Sequence, residues 1–381
     1  VNFELSSEHR IVQHTVRKFA EEVLKPRVKE IEKNAKIPQE LWWQMGELGL
    51  MGLPLPEKYG GSGADYLSFA IAVEELARVC PSLALSYSAH ISLGALPILL
   101  FGTEEQKETY LPPLTLGQYL GAFGLTEPNA GSDAGGTQTT AVLEDDHYVI
   151  NGSKMFITNA SFAKFVTITA VTDRSKGTKG ISAFIVPVGT PGFTIIDNLE
   201  KLGMKGSNTT ELVLEDVRIP RENLLGKPGE GFKQFLQVLN NGRIGIAALS
   251  VGLAQGAFEQ AFSYANTRIQ FKKPIAANQA IAFKLADMAT KIELARNLTY
   301  KAAWLKDNNR PFSLEAAMAK LYASETAVEV SLDAVQIHGG YGYITEYPVE
   351  MFLRDAKLLT IGEGTSEIQR LVIARQLGCP V

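Results

Sequence analysis

The spacing of apolar residues changes twice along this chain, and that double change restricts the fold more than any other feature. From about residue 5 to 120 the pattern is helical. Val12, Val16, Phe19 and Val23 recur at spacings of four, three and four, which lines one face of a helix. Pro38 opens a further helical run and Gly49 closes it, the usual placement of these residues at helix ends. Thr103-Glu104-Glu105-Gln106 reads as a capping box before another short helix. From about 121 to 225 the texture becomes that of strands. TTAVLEDDHYVING, FVTITAVT, GISAFIVPV and TTELVLEDVRIP are short runs rich in Val, Ile, Thr and Phe, separated by turn residues. No helical pattern lies between them, which predicts an antiparallel sheet rather than βαβ units. From about 229 onward helical periodicity returns in three long segments, the third starting at Ser313, and long helices with short connections make a bundle. The expected fold is therefore α+β: an N-terminal α-helical domain (1–120), a central antiparallel β-domain (121–228) and a C-terminal helical bundle (229–381).

Composition narrows the chemistry. A chain of 381 residues, 45% hydrophobic and 20% charged, can bury a large core without staples. Its net charge of −4 gives no general attraction to nucleic acid. The two cysteines, Cys80 and Cys379, are too few and too far apart for a disulfide scaffold or a thiolate metal site, which fits a reducing compartment. The five histidines have no metal-ligand spacing, and Walker A and Gly-x-Ser-x-Gly sequences are absent. GSGADY at 61–66 lacks the third glycine of a dinucleotide fingerprint. Pro81 to Thr103 carries no formal charge and has the length of a membrane span, but its serines, Tyr87 and His90 predict a helix buried in a soluble core. The N-terminal residues have no apolar secretory region and carry acids early, so the expected location is the cytoplasm, or the mitochondrial matrix for a eukaryotic source.

Three segments carry candidate chemistry. The first runs from Phe123 to Gly136, a turn-rich loop whose backbone N–H groups, Thr126 and Ser132 can cradle a polar cofactor edge or a pyrophosphate. The second is Lys154 to Asn159, where Phe156 can stack on a planar ring and Thr158 can donate to a ring nitrogen. The third comprises Arg354 to Lys357 and Ile361 to Arg370, where Gly362 and Gly364 flank Glu363 and place its carboxylate on bare backbone. A helix is expected to begin near Thr365, with Ile368, Leu371 and Val372 on its buried face. Taken singly, each segment also reads as ordinary structure: a surface loop, a strand, a helix-entry turn.

Together, on an α–β–α frame, GLTEPNAGSDAGG and QIHGGYGYITEYPVEMFLRDAK…EGTSEIQR closely resemble the acyl-CoA dehydrogenases, and the likeness covers essentially the whole chain. The resemblance implies a C-terminal four-helix bundle and FAD bound between the β-domain and that bundle. Phe123, Leu125, Thr126, Gly131 and Ser132 would then line the flavin, with Thr126 near its pyrimidine side and Ser132 near phosphate or substrate. Phe156, Ile157 and Thr158 would cover the other side, Thr158 near flavin N5; Phe156 is Trp in many members. Arg268 and Phe271 would touch FAD of a neighbouring subunit. Gln279, Gln336, Ile337, Gly339 and Gly340 would lie on the adenine side, and Thr365, Ser366 and Glu367 near the pyrophosphate and ribose. Asn240, Asn241, Gly242, Arg243 and Gly364, with Ser132, would border the acyl-CoA.

The implied reaction is α,β-dehydrogenation of a fatty acyl-CoA thioester to the trans-2-enoyl-CoA. Glu363 would take the α-proton, the β-hydride would pass to flavin N5, and electrons would go on to electron-transferring flavoprotein from a homotetramer built as a dimer of dimers. Some branches place the base one residue before the arginine here numbered 243; this chain has Gly242 there, leaving Glu363 alone. Many straight-chain members have Tyr where this chain has Gly362, which widens the pocket. Gly362 resembles the isovaleryl branch, Glu363 and Gly242 the short-chain branch, so a short- to medium-chain or short branched acyl group is expected. Two other readings remain: an acyl-CoA oxidase, usually longer and distinguished by peroxide yield, and a non-catalytic flavin-binding homologue, which would need no Glu363.

Overall fold

The structure is a computed structural model that describes residues 4–197 and 199–380. Ser6 caps the first helix by accepting from His9 N at 3.2 Å, and the capping box predicted at Thr103 is present, with Thr103 and Gln106 bonding each other's backbone. The N-terminal region holds α1 (Ser7–Phe19), α2 (Val28–Asn34), α3 (Gln39–Glu47), α4 (Tyr66–Ala77), α5 (Pro81–Ala89), α6 (Leu96–Phe101) and α7 (Glu104–Thr115). Val16 and Phe19 point into the core as their spacing predicts, while Val12 and Val23 are half-buried. The uncharged run from Pro81 to Phe101 is one helical stretch with a π-type segment at His90–Ala95, and 83% of its most apolar window is buried inside the protein. His90 lies within it as a neutral ring, bonded to Met51 O and to Gly121 N, each at 3.0 Å, and burial pushes its pKa down to about 4.

The central sheet comprises β1 (Phe123–Gly124), β2 (Thr140–Glu144), β3 (His147–Thr158), β4 (Phe165–Val171), β5 (Ile181–Pro187), β6 (Phe193–Ile196), β7 (Thr209–Pro220) and β8 (Leu224–Leu225), in the order β6-β7-β3-β2-β4-β5-β8, with β1 on β4. Most pairings are antiparallel, as expected. The contacts of β4 with β1 and with β2 are parallel, because the chain crosses over before β4 instead of turning back in a hairpin. Ladder β3–β7 is interrupted twice, between Ile150 and Gly152 and between Lys154 and Ile157.

The C-terminal region begins with the 37-residue α8 (Gly231–Thr267). A small hairpin, β9 (Ile269–Gln270) and β10 (Lys273–Pro274), leads to α9 (Gln279–Asp307), α10 (Ser313–His338), α11 (Val349–Leu359) and α12 (Ser366–Gln376). The largest core is helical and joins α1, α4 and α5 to α8, α9 and α10; it is continuous from Val16 to Leu359. The sheet has its own core, centred on Ile150, Ile168, Phe184 and Leu212. A third cluster, with Ile98, Leu111, Phe165 and Ile185, joins α6 and α7 to β4 and β5. α8 is buried without a break from Asn241 to Ala254, so it is the element against which the other layers are placed.

Candidate active site

Glu363 lies in the turn between α11 and α12, and its backbone is left-handed (φ 52°), as is that of Gly364 (φ 93°). A non-glycine residue held there stores strain that only the surroundings can maintain. Those surroundings are specific. Lys320 Nζ, from α10, donates to Gly364 O at 2.6 Å, and Gln369 Nε2, from α12, donates to the same oxygen at 2.9 Å and to Glu363 O at 3.3 Å. The turn aims the carboxylate at α8, where a Cβ on Gly242 would stand 2.0 Å from Glu363 Oε2. Only a glycine leaves room there. Oε2 itself is buried and has no hydrogen-bond partner among the described residues. Burial raises the Glu363 pKa to about 7, against the opposing pull of Lys320 and Arg243.

On the facing stretch of α8, Arg243 Nη1 donates to Asn240 Oδ1 at 2.5 Å, and Ser313 donates to the same atom at 3.1 Å. Among the described residues, Arg243 Nε and Asn241 Oδ1 are buried without hydrogen-bond partners, as are Ser366 Oγ and Gln369 Oε1 across the turn. Unsatisfied buried polar atoms are uncommon, and a group of them around one carboxylate suits a polar ligand. The sequence-predicted residues Asn240, Asn241, Gly242, Arg243, Glu363 and Gly364 thus meet in one place. Thr365 caps α12 by accepting from Ile368 N at 3.3 Å, and Glu367 is exposed beside it. The buried face of α12 departs from expectation: Ile368, Leu371 and Val372 are half-buried, while Ser366 and Gln369 are the fully buried residues, because this face meets the polar turn rather than apolar core.

The other two sequence segments meet on the sheet. Met155 N donates to Thr126 O at 2.7 Å, and Lys154 Nζ donates to Leu125 O at 3.2 Å and to Glu127 Oε1 at 2.7 Å. Lys154 and Glu127 form a buried ion pair whose carboxylate also receives the backbone N–H groups of Gln138 and Thr139, at 2.6 and 3.1 Å. Burial lowers the Lys154 pKa and would raise that of Glu127, but the pairing overrides it and holds Glu127 low. Phe156 stands at the second interruption of β3 with φ 61°, and its ring is 63% exposed. An irregularity of this kind re-aims a side chain out of the ladder. Thr158 is half-buried beside it, whereas the Ile157 side chain is in the sheet core and leaves only backbone for a ligand. Phe123 lies nearly parallel to Phe235 of α8, at 6.3 Å, and Gly131 and Ser132 are exposed.

A third group lies at the C-terminal end of α8. Arg268, Ile337, Gly339 and Gly340 line an open cavity of about 400 Å³, together with Tyr264 and His338. A Cβ on Gly339 or Gly340 would meet nothing within 4 Å, so bare backbone faces open space. Gln336 is exposed beside this cavity; Phe271 and Gln279 are exposed as well, and neither is among the residues that line it. Sequence reasoning missed Lys320 and the partner of Lys154. The available signal for Lys320 was a lone cation in the alanine-rich run AAMAKLYA, where a solvated face would carry more polar residues.

Family models for the acyl-CoA dehydrogenase N-terminal, middle and C-terminal domains match residues 6–118, 122–217 and 229–378. A probable acyl-CoA dehydrogenase of Bacillus subtilis, YngJ, is 59% identical over 99% of this chain and 100% of that protein. The solved butyryl-CoA dehydrogenase of Megasphaera elsdenii superposes with a TM-score of 0.97 at 48% identity, over 99% and 100% of the two chains. A chain from a structure titled for the electron transferring flavoprotein of Acidaminococcus fermentans gives a TM-score of 0.98 at 49% identity, again over 99% and 100%. This chain belongs to the acyl-CoA dehydrogenase family. It is an oxidoreductase of acyl-CoA thioesters, and its cofactor is FAD. The residues present fit that cofactor: exposed Phe156 beside the Thr126 loop offers a platform for a ring, and the bare Gly339–Gly340 backbone with Arg268 offers polar contacts to a dinucleotide along an open cavity.

Proposed function

We propose that this protein forms the trans-2-enoyl-CoA from a short-chain acyl-CoA, with Glu363 as the base that removes the α-proton. The observation that carries the reading is the unpartnered Glu363 Oε2, buried against Gly242 and flanked by the charges of Arg243 and Lys320. A base works best with a pKa near the working pH, and burial brings this carboxyl to about 7. FAD, when bound, supplies the two-electron acceptor for the β-carbon. The protein's own residues then do the rest. Glu363 receives the α-proton, and its main-chain N–H is the proposed donor to the thioester carbonyl, where charge develops. Asn240, Asn241, Arg243 and Gly364 border the thioester, with Ser132 at the outer edge. Phe123, Leu125, Thr126, Gly131, Phe156, Ile157 and Thr158 hold the ring system. Ile337, Gly339 and Gly340 with Gln336, and Thr365, Ser366 and Glu367, hold the dinucleotide arm. Arg268, Phe271 and Gln279 reach FAD of a second copy in a homotetramer; the 91% exposure of Phe271 supports that assignment.

A short acyl group is supported by the rings behind the site. Tyr66, Phe69 and Tyr87 are buried in series, with centroids 4.8 and 5.8 Å apart, and Tyr66 Oη donates to Asn241 O at 3.2 Å. Tyr66 lies against the turn of α8 that carries Gly242, and Phe69 lies against Gly245 one turn further on. The solved butyryl-CoA dehydrogenase agrees with a short substrate, and the structure titled for electron transferring flavoprotein supports that protein as the electron acceptor.

Glu363→Gln tests the reading. It should retain yellow FAD and lose about 10²–10⁴-fold in the rate at which acyl-CoA bleaches the flavin, since that is the usual range for a general base. Bleaching at the wild-type rate in this variant would remove Glu363 from the role. A panel of C4 to C16 and branched thioesters, compared by kcat/KM, tests the short-chain assignment.

A further inference from the structure

Lys320 has no place in the established chemistry, yet it is a fully buried cation on an alanine-lined stretch of α10. Burying a charge is costly unless something opposite compensates. Its one hydrogen bond within the described residues goes to the carbonyl of Gly364, the residue after the carboxylate. The charged and titratable groups around the pair come from several elements. Arg243 on α8 and Tyr66 on α4 face Glu363, while Glu325 on α10 itself and Glu367 on α12 face Lys320. Arg243 is committed to Asn240 through Nη1. Lys320 is therefore the cation tied directly to the turn that carries Glu363.

We propose that Lys320 is the positioning residue of the base: it clamps the left-handed Glu363–Gly364 turn through Gly364 O and sets a buried positive charge behind the carboxylate. This rests on Glu363 being the proton acceptor. The clamp and the charge predict different things. A clamp keeps the turn in its strained conformation at any pH. The charge offsets burial, so removing it makes the carboxyl hold its proton to higher pH. The direction agrees with the local electrostatics, where Lys320 is the strongest influence opposing burial at Glu363, and burial in turn draws the Lys320 ammonium below the ordinary lysine range.

The test compares holoenzymes carrying Lys320→Gln, which keeps an N–H donor but no charge, Lys320→Arg, which keeps both, and Lys320→Met, which keeps neither. The infrared band of a protonated carboxyl that vanishes in Glu363→Gln reports the protonation of Glu363 directly, without turnover. Its midpoint should rise by about one pH unit in Lys320→Gln and Lys320→Met and return close to wild type in Lys320→Arg. In Lys320→Gln the acid limb of kcat/KM for flavin bleaching should move by the same amount, costing about tenfold well below the wild-type midpoint and little well above the new one, while Lys320→Met, which also loses the clamp, should lose rate at every pH as well. In FAD-retaining Lys320→Gln, which keeps the donor, an unchanged infrared midpoint or a loss of rate equal at every pH overturns the proposal. If Lys320→Met does not fold, Lys320→Gln and Lys320→Arg decide the matter. A midpoint that moves as stated, in a protein whose wild type is bleached by no acyl-CoA, would sustain Lys320 and sink the base assignment instead.

Discussion

A methyl group at position 242 would lie 2.0 Å from Oε2 of Glu363, and the turn that carries this carboxylate is pinned by Lys320 and Gln369. Neither partner can yield freely, so Gly242→Ala should push the carboxylate aside rather than unfold α8. Overpacking of this kind costs about 1–3 kcal/mol. The larger effect should be on rate: a displacement of about 1 Å from the reacting geometry is worth about 10²-fold. Stopped-flow bleaching should show that loss while FAD content and helical circular dichroism stay near wild type; an undiminished rate would mean that the carboxylate works from elsewhere. Residues of this site differ in how far sequence could reveal them. Glu363 between Gly362 and Gly364 is a local pattern that its neighbours flag as a candidate, though only the family resemblance separated it from an ordinary helix-entry turn. The close approach of position 242 to Glu363 depends on tertiary packing, and the sequence had only marked Gly242, through the family resemblance, as a border of the acyl-CoA site. Lys320 was harder to read for a different reason: a lysine on a helix ordinarily reads as a solvated position, its alanine-rich neighbours were the one hint, and its burial comes from α8 and α12 closing over it.

The elements that hold the flavin-side loop depend on one buried pair. Glu127 receives Lys154, Thr137 and two backbone N–H groups, and so ties the Phe123–Gly136 loop to β3 beside Phe156. Glu127→Gln strands the Lys154 ammonium in a buried site, which typically costs about 3–5 kcal/mol. The double change Glu127→Leu with Lys154→Met should recover most of that stability, because an apolar pair needs no compensation, but not the backbone bonds that shape the loop. Urea unfolding should therefore rank the single variant far below the double, and FAD titration should show weakened retention in both. Equal stability of single and double variants would contradict the buried-pair account. The long helices and the strands β2, β3, β4, β5 and β7 were legible because their apolar periods extend over many residues. The strands β1, β6, β8, β9 and β10 were not, since each has only two residues, or four in β6, and exists by pairing with a neighbour rather than by its own pattern.

At the scale of the whole molecule, one end of the bundle is conspicuously unfinished. Phe262, Ile269, Phe271, Phe283, Tyr343 and Ile344 are exposed there, around the cavity that Arg268, Gly339 and Gly340 help to line. Scattered apolar residues on a surface are ordinary, but a concentration beside a ligand cavity marks an interaction surface. Phe271 and Lys272 are both held at positive φ on the β9–β10 hairpin, so the ring is presented outward by a strained backbone rather than left there by chance. A second copy of the chain covering this end would explain the exposure and let Arg268, stacked 5.5 Å from the Tyr341 ring, act on cofactor and assembly together. Arg268→Ala should then lower FAD affinity and shift the population from tetramer towards smaller species. Addition of excess FAD should partly restore assembly, since a ligand bound across an interface favours the assembled state by mass action. Light scattering and FAD titration on the same samples check this. Unaltered FAD affinity in a dissociated protein would make Arg268 an assembly residue only, and unaltered assembly with weakened FAD would confine its action to its own subunit.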